Sequence, residues 1–210
     1  MKIDIQLAQW LCSRLCHDMA SGVGAVMAGL EMYNDDGGAD ALKLAENSAG
    51  VLSEKLQFLR MAFGYGAGVA PVDIDKIKQL VDAQLSIGRV RMHWQQNTDD
   101  GDNPPTRVSA DCARSMLLSV IIANDCLVRG GDIYLNLVTL DHGEAVAMEI
   151  KGAGVRLKDD IAQILSGNSA NFGDARCVHA LYLTVLVAKN GGQIECSCEN
   201  DTVKLAFILN

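Results

Sequence analysis

The chain has no apolar run long enough to cross a bilayer, no CxxC pair, no excess of positive charge and no internal repeat. Each absence removes a class of protein. Without a long apolar run, and with no basic stretch leading into an apolar one at its start, the chain reads as soluble and cytoplasmic, with no membrane partner. A net charge of −8 argues against nucleic acid as the main partner. The seven cysteines, at 12, 16, 112, 126, 177, 196 and 198, are odd in number, and several fall inside apolar periodic segments. Buried free thiols in a reducing compartment fit that pattern better than a disulfide framework.

What is present is enough for a real core. The chain has 210 residues, 49% hydrophobic and 21% charged, which makes one large domain or two small ones. The first third reads as a helical hairpin. Helix one is expected from about Ile5 to Tyr33, and Asn34-Asp35-Asp36-Gly37-Gly38 is the stop and turn signal. Helix two is expected from about Asp40 to Phe63. In it Leu42, Ala45, Ala49, Leu52, Leu56, Leu59 and Phe63 alternate steps of three and four, a heptad seam. Two helices alone bury little, so the seam calls for more: a second hairpin in a homodimeric four-helix bundle, or the rest of the chain. Phe58 and Met61 are apolar but off the seam, which makes them a candidate docking patch, with packing onto the chain's own second domain as the alternative.

The glycine-rich run from Gly64 to Pro71 is the linker, dividing a hairpin (1–66) from a second unit (67–210). After it the pattern alternates between the two periods. Helices are expected at Ile74–Leu85, from a Ser109 cap to about Val128, near Leu157–Leu165 and from about Asp174 to Lys189. Strands are expected at Arg89–Gln95, Asp132–Leu140, Glu144–Lys151, Gln193–Cys198 and Val203–Leu209, with an acidic loop from Asp99 to Pro105. The fold class is therefore α+β: a helical hairpin, then an α/β sandwich whose mostly antiparallel sheet is covered on one face by helices.

The run Leu11-Cys12-Ser13-Arg14-Leu15-Cys16-His17-Asp18-Met19-Ala20-Ser21 sets a His-Asp pair in helix one. Residues three, four and seven away share the face of His17: Trp10, Ser13, Arg14, Ala20, Ser21 and Gly24, most of them small or polar. A bulky partner can press on such a face and reach the imidazole, which makes Ser13, Ser21 and Gly24 candidate contact residues. His17 with a carboxylate beside it and a cation one turn before suits a phosphoryl acceptor. In that role Asp18 holds the tautomer or helps dock the partner, and Arg14 screens the phosphoryl charge. On the residues alone, this stands level with an ordinary surface histidine of a bundle. Zinc does not fit: Cys16 and His17 point about 100° apart on a helix, and no second ligand cluster has the spacing. His93 reads as the polar face of a strand, His142 as a solvated turn residue, and His179 as a satisfied, partly buried helix residue.

A hairpin carrying an exposed His-acid pair ahead of such a sandwich resembles the bacterial sensor histidine kinases, whose hairpin precedes a Bergerat-fold ATP-binding domain. The likeness is closer to the ChpT-type histidine phosphotransferases. It is carried by Leu11 to Asp18, by Val23-Gly24-Ala25-Val26 with Gly29-Leu30-Glu31, and by Phe58-Leu59-Arg60-Met61-Ala62-Phe63-Gly64. One departure is Gly22, where the family commonly has proline; either residue loosens the helix. The pieces of a nucleotide site are mostly gone. Asn124-Asp125 stands where a metal-binding Asn would. Ile150-Lys151-Gly152-Ala153-Gly154 has Ile150 in place of an adenine-reading Asp, and Asn171 to His179 replaces a glycine loop. The resemblance implies a homodimer that passes phosphoryl groups between receiver domains, those of a hybrid histidine kinase and of cell-cycle response regulators. It implies no cofactor or metal of its own, the receiver supplying Mg²⁺. An ATP-dependent kinase and a non-catalytic receiver-binding adaptor are the alternatives.

Overall fold

In the computed structural model, residues 3–64, 70–86, 88–95, 105–167 and 174–210 are described. Two antiparallel helices open the chain, α1 (Ile3–Asp36) and α2 (Ala39–Phe63). Helix α1 runs through the Asn34-Asp35-Asp36 segment, so the turn is shorter than expected. Gly37 alone makes the left-handed step, with φ of 63°, and its N–H donates to the Tyr33 carbonyl at 2.7 Å. Glycine has no Cβ to clash in that conformation.

Small residues let the two helices approach. A Cβ on Gly29 would lie 2.9 Å from the Ala45 backbone nitrogen and 3.1 Å from the Ala41 carbonyl oxygen. One on Gly22 would lie 2.5 Å from the end of the Leu52 side chain. Helix α1 is unbroken at Gly22, so the expected loosening there does not appear. The glycine makes room for α2 instead.

The seam of α2 is only partly covered by its own chain. Ala45 and Leu59 are buried and Leu52 and Phe63 half-buried, whereas Leu42, Ala49 and Leu56 are exposed. Val23, Met27, Leu30 and Tyr33 of α1 add to this apolar surface.

The lower end of the hairpin is different. Phe58, Leu59, Met61 and Ala62 belong to the same buried cluster as the second unit, and Leu7, Trp10, Leu15 and Met19 of α1 pack against it. Phe58 is completely buried and Met61 nearly so, which corrects their expected role as a docking patch. Ala45 and Leu52 of the seam face α1, so the side chains a quarter-turn off that line meet the other large apolar surface in the chain. That surface includes α3 (Ile74–Leu85) and α4 (Ala110–Cys126).

The second unit follows the expected order closely. Around α3 and α4 come β2 (Val90–Gln95), β4 (Gly131–Leu140), β5 (Gly143–Lys151), α5 (Asp159–Leu165), a 3-10 turn (Ala175–Cys177), α6 (Val178–Lys189), β6 (Gln193–Glu199) and β7 (Thr202–Leu209). The sheet order is β2-β4-β5-β7-β6, with β2 parallel to β4 and the other pairs antiparallel. The hydroxyl of Ser109 caps α4, accepting from the Cys112 N–H at 3.1 Å. Ile133, Leu135, Val146, Met148, Ile150, Val203, Leu205 and Phe207 form the buried face of the sheet, at alternate positions as the pleat requires.

Two elements were not anticipated, β1 (Val72–Asp73) and β3 (Arg107–Val108), which pair antiparallel. Two residues are too few to display a period. The proposed boundary at 66/67, most of the acidic 99–105 loop and residues 171–173 lie outside the described residues.

Candidate active site

His17 sits in the middle of α1 with its side chain 86% exposed. Its Nδ1 faces Asp18 Oδ1 at 3.4 Å, which leaves Nε2 directed away from that carboxylate. Asp18 is only 14% exposed, and its other oxygen accepts from Arg14 Nε at 2.7 Å. Four residues apart on one helix face, Arg14 and Asp18 are natural ion-pair partners.

Ser13, Ser21 and Gly24 are exposed along α1, and a Cβ on Gly24 would meet nothing within 4 Å. The structure thus places three of the five predicted contact residues on an open helix surface. Phe58 and Met61 are not among them.

Arg14 is not where a charge screen for His17 would stand. Its guanidinium turns into the crevice between hairpin and sandwich. There it donates to the Arg176 carbonyl at 3.3 Å and lies 4.0 Å from Asp125 Oδ2. The crevice has a volume of about 140 Å³, and Lys55, Gln84, Asn124 and Asp125 line it alongside Arg14 and Asp18. Burial raises the Asp125 carboxyl above its ordinary value, and the Arg14 guanidinium pulls it back.

Behind Asp125 lies His179, 1% exposed, with its Nε2 3.7 Å from Asp125 Oδ2 and neither ring nitrogen hydrogen-bonded. It is therefore neither satisfied nor partly buried, contrary to the expectation from sequence. Burial drives its pKa down to about 3, keeping the ring neutral. Asp125 was visible in the sequence as a neighbour of Asn124, but nothing local indicated that it would face Arg14 from 111 positions away in the chain.

A second cavity, about 130 Å³, lies on the far side of Asp125 and His179, lined also by Cys126, Arg156, Lys158, Asp160, Arg176 and Cys177. It is small beside the roughly 300–1,000 Å³ typical of ligand pockets. Ile150 is fully buried in the sheet. Burial pushes the thiols of Cys126 and Cys177 up to about 12. No group of three or more His, Cys, Asp or Glu among the described residues is arranged to hold a metal ion.

Residues 74–202, most of the sandwich, match the family described as histidine phosphotransferase C-terminal domain. Protein phosphotransferase ChpT of Brucella abortus (strain 2308) is 34% identical over 195 residues, covering 90% of this chain and 88% of its own. The chain belongs to the ChpT-type histidine phosphotransferases. A solved bacterial phosphotransferase superimposes with a TM-score of 0.81 at 26% identity, covering 97% of this chain and 96% of that one. Full-length ShkA in complex with AMPPNP matches at a TM-score of 0.50 and 20% identity, over 97% of this chain and 45% of that one. At that identity the likeness concerns the fold alone.

The family match by domain covers only the sandwich, whereas the solved bacterial phosphotransferase spans 97% of this chain, so the hairpin is part of the shared fold as well. Among the described residues, no helix of this histidine phosphotransferase is long and apolar enough to cross a membrane.

Proposed function

We propose that His17 carries a phosphoryl group between the aspartates of receiver domains, as one cytoplasmic step of a bacterial phosphorelay acting on cell-cycle response regulators. The observation that supports this is the exposed imidazole with a largely shielded carboxylate on its Nδ1 side. In the forward step the Nε2 lone pair attacks the phosphorus of a receiver's aspartyl phosphate. The P–N bond forms as the P–O bond breaks, and the receiver's carboxylate leaves with the electron pair. Asp18 keeps the proton on Nδ1 and balances the positive charge that develops on the ring. A second receiver's carboxylate then takes the group by the same in-line displacement, and Mg²⁺ held by the receiver neutralises the transferring oxygens. An acyl phosphate is already activated, so this chain supplies orientation rather than acid–base chemistry. Ser13, Ser21 and Gly24 form the open surface on which a receiver settles.

The exposed apolar residues along the hairpin seam, Leu42 and Leu56 on α2 with Val23, Met27 and Leu30 on α1, are the surface of a homodimeric four-helix bundle in this reading. Several large apolar side chains exposed together on one flank are the mark of an interaction surface.

The test is transfer of label from a phosphorylated receiver. Wild-type protein takes the label, and His17→Gln takes none while folding normally, since an exposed polar exchange shifts stability by under about 0.5 kcal/mol. Saturable ATP binding followed by label on His17 makes the protein a kinase instead. Receiver binding with no label on the wild type makes it an adaptor.

A further inference from the structure

The contact between the sandwich and the hairpin indicates what the sandwich does for the phosphoacceptor helix. Arg14 has three partners, and two of them belong to the sandwich: the Arg176 carbonyl at 3.3 Å and Asp125 Oδ2 at 4.0 Å. The third is Asp18, at 2.7 Å. The guanidinium is 18% exposed, so it is largely shielded from the solvent that weakens surface ion pairs.

We infer that Arg14 is a positioning residue through which the sandwich orients the phosphoacceptor: Asp125 and the Arg176 carbonyl hold the guanidinium, and the guanidinium holds Asp18 with its free oxygen beside His17 Nδ1. This rests on the reading of His17 as phosphoacceptor. A carboxylate on a helix has several staggered rotamers, and only one that faces Nδ1 biases the neutral ring toward the Nδ1–H tautomer. That tautomer is the one with a lone pair on Nε2, the nitrogen that must attack. A planar guanidinium can bond Asp18 and reach across the crevice at once; a lysine ammonium cannot reproduce that fork. The sandwich is then part of the transfer centre without touching the phosphoryl group.

The experiment pairs a rate with a spectrum. Single-turnover transfer from a phosphorylated receiver and the ¹⁵N tautomer signature of His17, recorded on the free protein, are measured for Arg14→Gln, Arg14→Lys and Asp125→Asn. Arg14→Gln is expected to slow transfer on the order of a hundredfold, the cost of a misplaced reacting group, and to move His17 toward the Nε2–H tautomer, with receiver affinity unchanged. Asp125→Asn moves both in the same direction by less, and Arg14→Lys fails to restore either. The double variant Arg14→Gln/Asp125→Asn is no slower than Arg14→Gln alone, because both act through one link.

A slowed Arg14→Gln with a wild-type tautomer signature overturns the inference and makes Arg14 a charge screen. Wild-type rate and signature in Asp125→Asn remove the sandwich from it, and losses that multiply in the double variant do the same. If Arg14→Gln does not fold, the near-isosteric Asp125→Asn decides. A wild-type chain that takes no label overturns the phosphoacceptor reading, while the tautomer signatures still decide the positioning.

Discussion

Replacing Phe58 by alanine separates two roles the residue could have had. Its ring is completely buried at the base of α2 and lines the crevice together with Val120 and Ile121 of α4. Removing a fully buried phenyl group costs about 3–5 kcal/mol, combining lost transfer energy with the cavity left behind. Helix α2 packs there against α3 and α4, elements that cannot collapse independently, so the upper half of that range is expected. Against a total stability of about 5–15 kcal/mol, that is a large fraction. For a chain of this size it corresponds to a fall in Tm of roughly 8–20 °C. Urea unfolding followed by far-UV circular dichroism is the direct assay: the midpoint should drop while the slope with denaturant stays the same. Transfer to and from receivers, measured well below the new midpoint, should be affected little. An unchanged midpoint with slowed transfer would refute the reasoning and return Phe58 to a partner surface.

Two alanine substitutions on α1 should move stability in opposite directions. Gly24→Ala meets open space and gains up to about 1 kcal/mol of helix propensity. Gly29→Ala drives a methyl group into the backbone of α2 and should lose more than it gains, both read as shifts in urea midpoint. Light scattering should give a dimer for the wild type, and Leu52→Ala with Leu56→Ala should shift the mass toward monomer; a monomeric wild type defeats the bundle. Stability should fall on acidification below about pH 6.5. His179 is held down to about 3 in the folded chain, so the unfolded chain binds that proton first, at up to about 1.4 kcal/mol per pH unit. Asp125, raised by burial, has the opposite sign and offsets part of this at the acid end, and His179→Leu should flatten the slope near pH 6. Maleimides should label Cys12, Cys16 and Cys198, which are exposed, and leave Cys112 and Cys126 untouched under native conditions; a bulky adduct on Cys16 should block transfer.

Much of this molecule was legible from spacing. Ile74–Leu85 appears with the boundaries its periodicity indicates, and the Ser109 cap and the alternating strands of the sheet stand where their patterns place them. The His-Asp pair was readable because both residues are local to one helix. What escaped depends on contacts between distant segments. Nothing in the neighbourhood of Phe58 distinguishes a side chain that faces a partner from one that faces α4. Arg14 lies one turn from His17 in sequence, but a helix position fixes only where a side chain starts; Asp125 and the Arg176 carbonyl decide where it ends. His179 was misjudged for the same reason, since a histidine among apolar neighbours is silent about whether a partner reaches it.

The apolar base of α2, shared with α3 and α4 in one buried cluster, ties the hairpin to the sandwich as a single cooperative folding unit. Opening the crevice exposes Phe58, Leu59, Met61 and Ala62 to water together, so the hairpin leaves the sandwich only at a cost approaching that of global unfolding. Amides in the last two turns of α2 and in the middle of α4 should then exchange with solvent through the same rare event, while the free tip of the hairpin around Gly37 exchanges far sooner. The 1–66 segment expressed alone would carry this bare apolar base into solution and self-associate through it. A boundary that divides the chain by architecture does not divide it by stability.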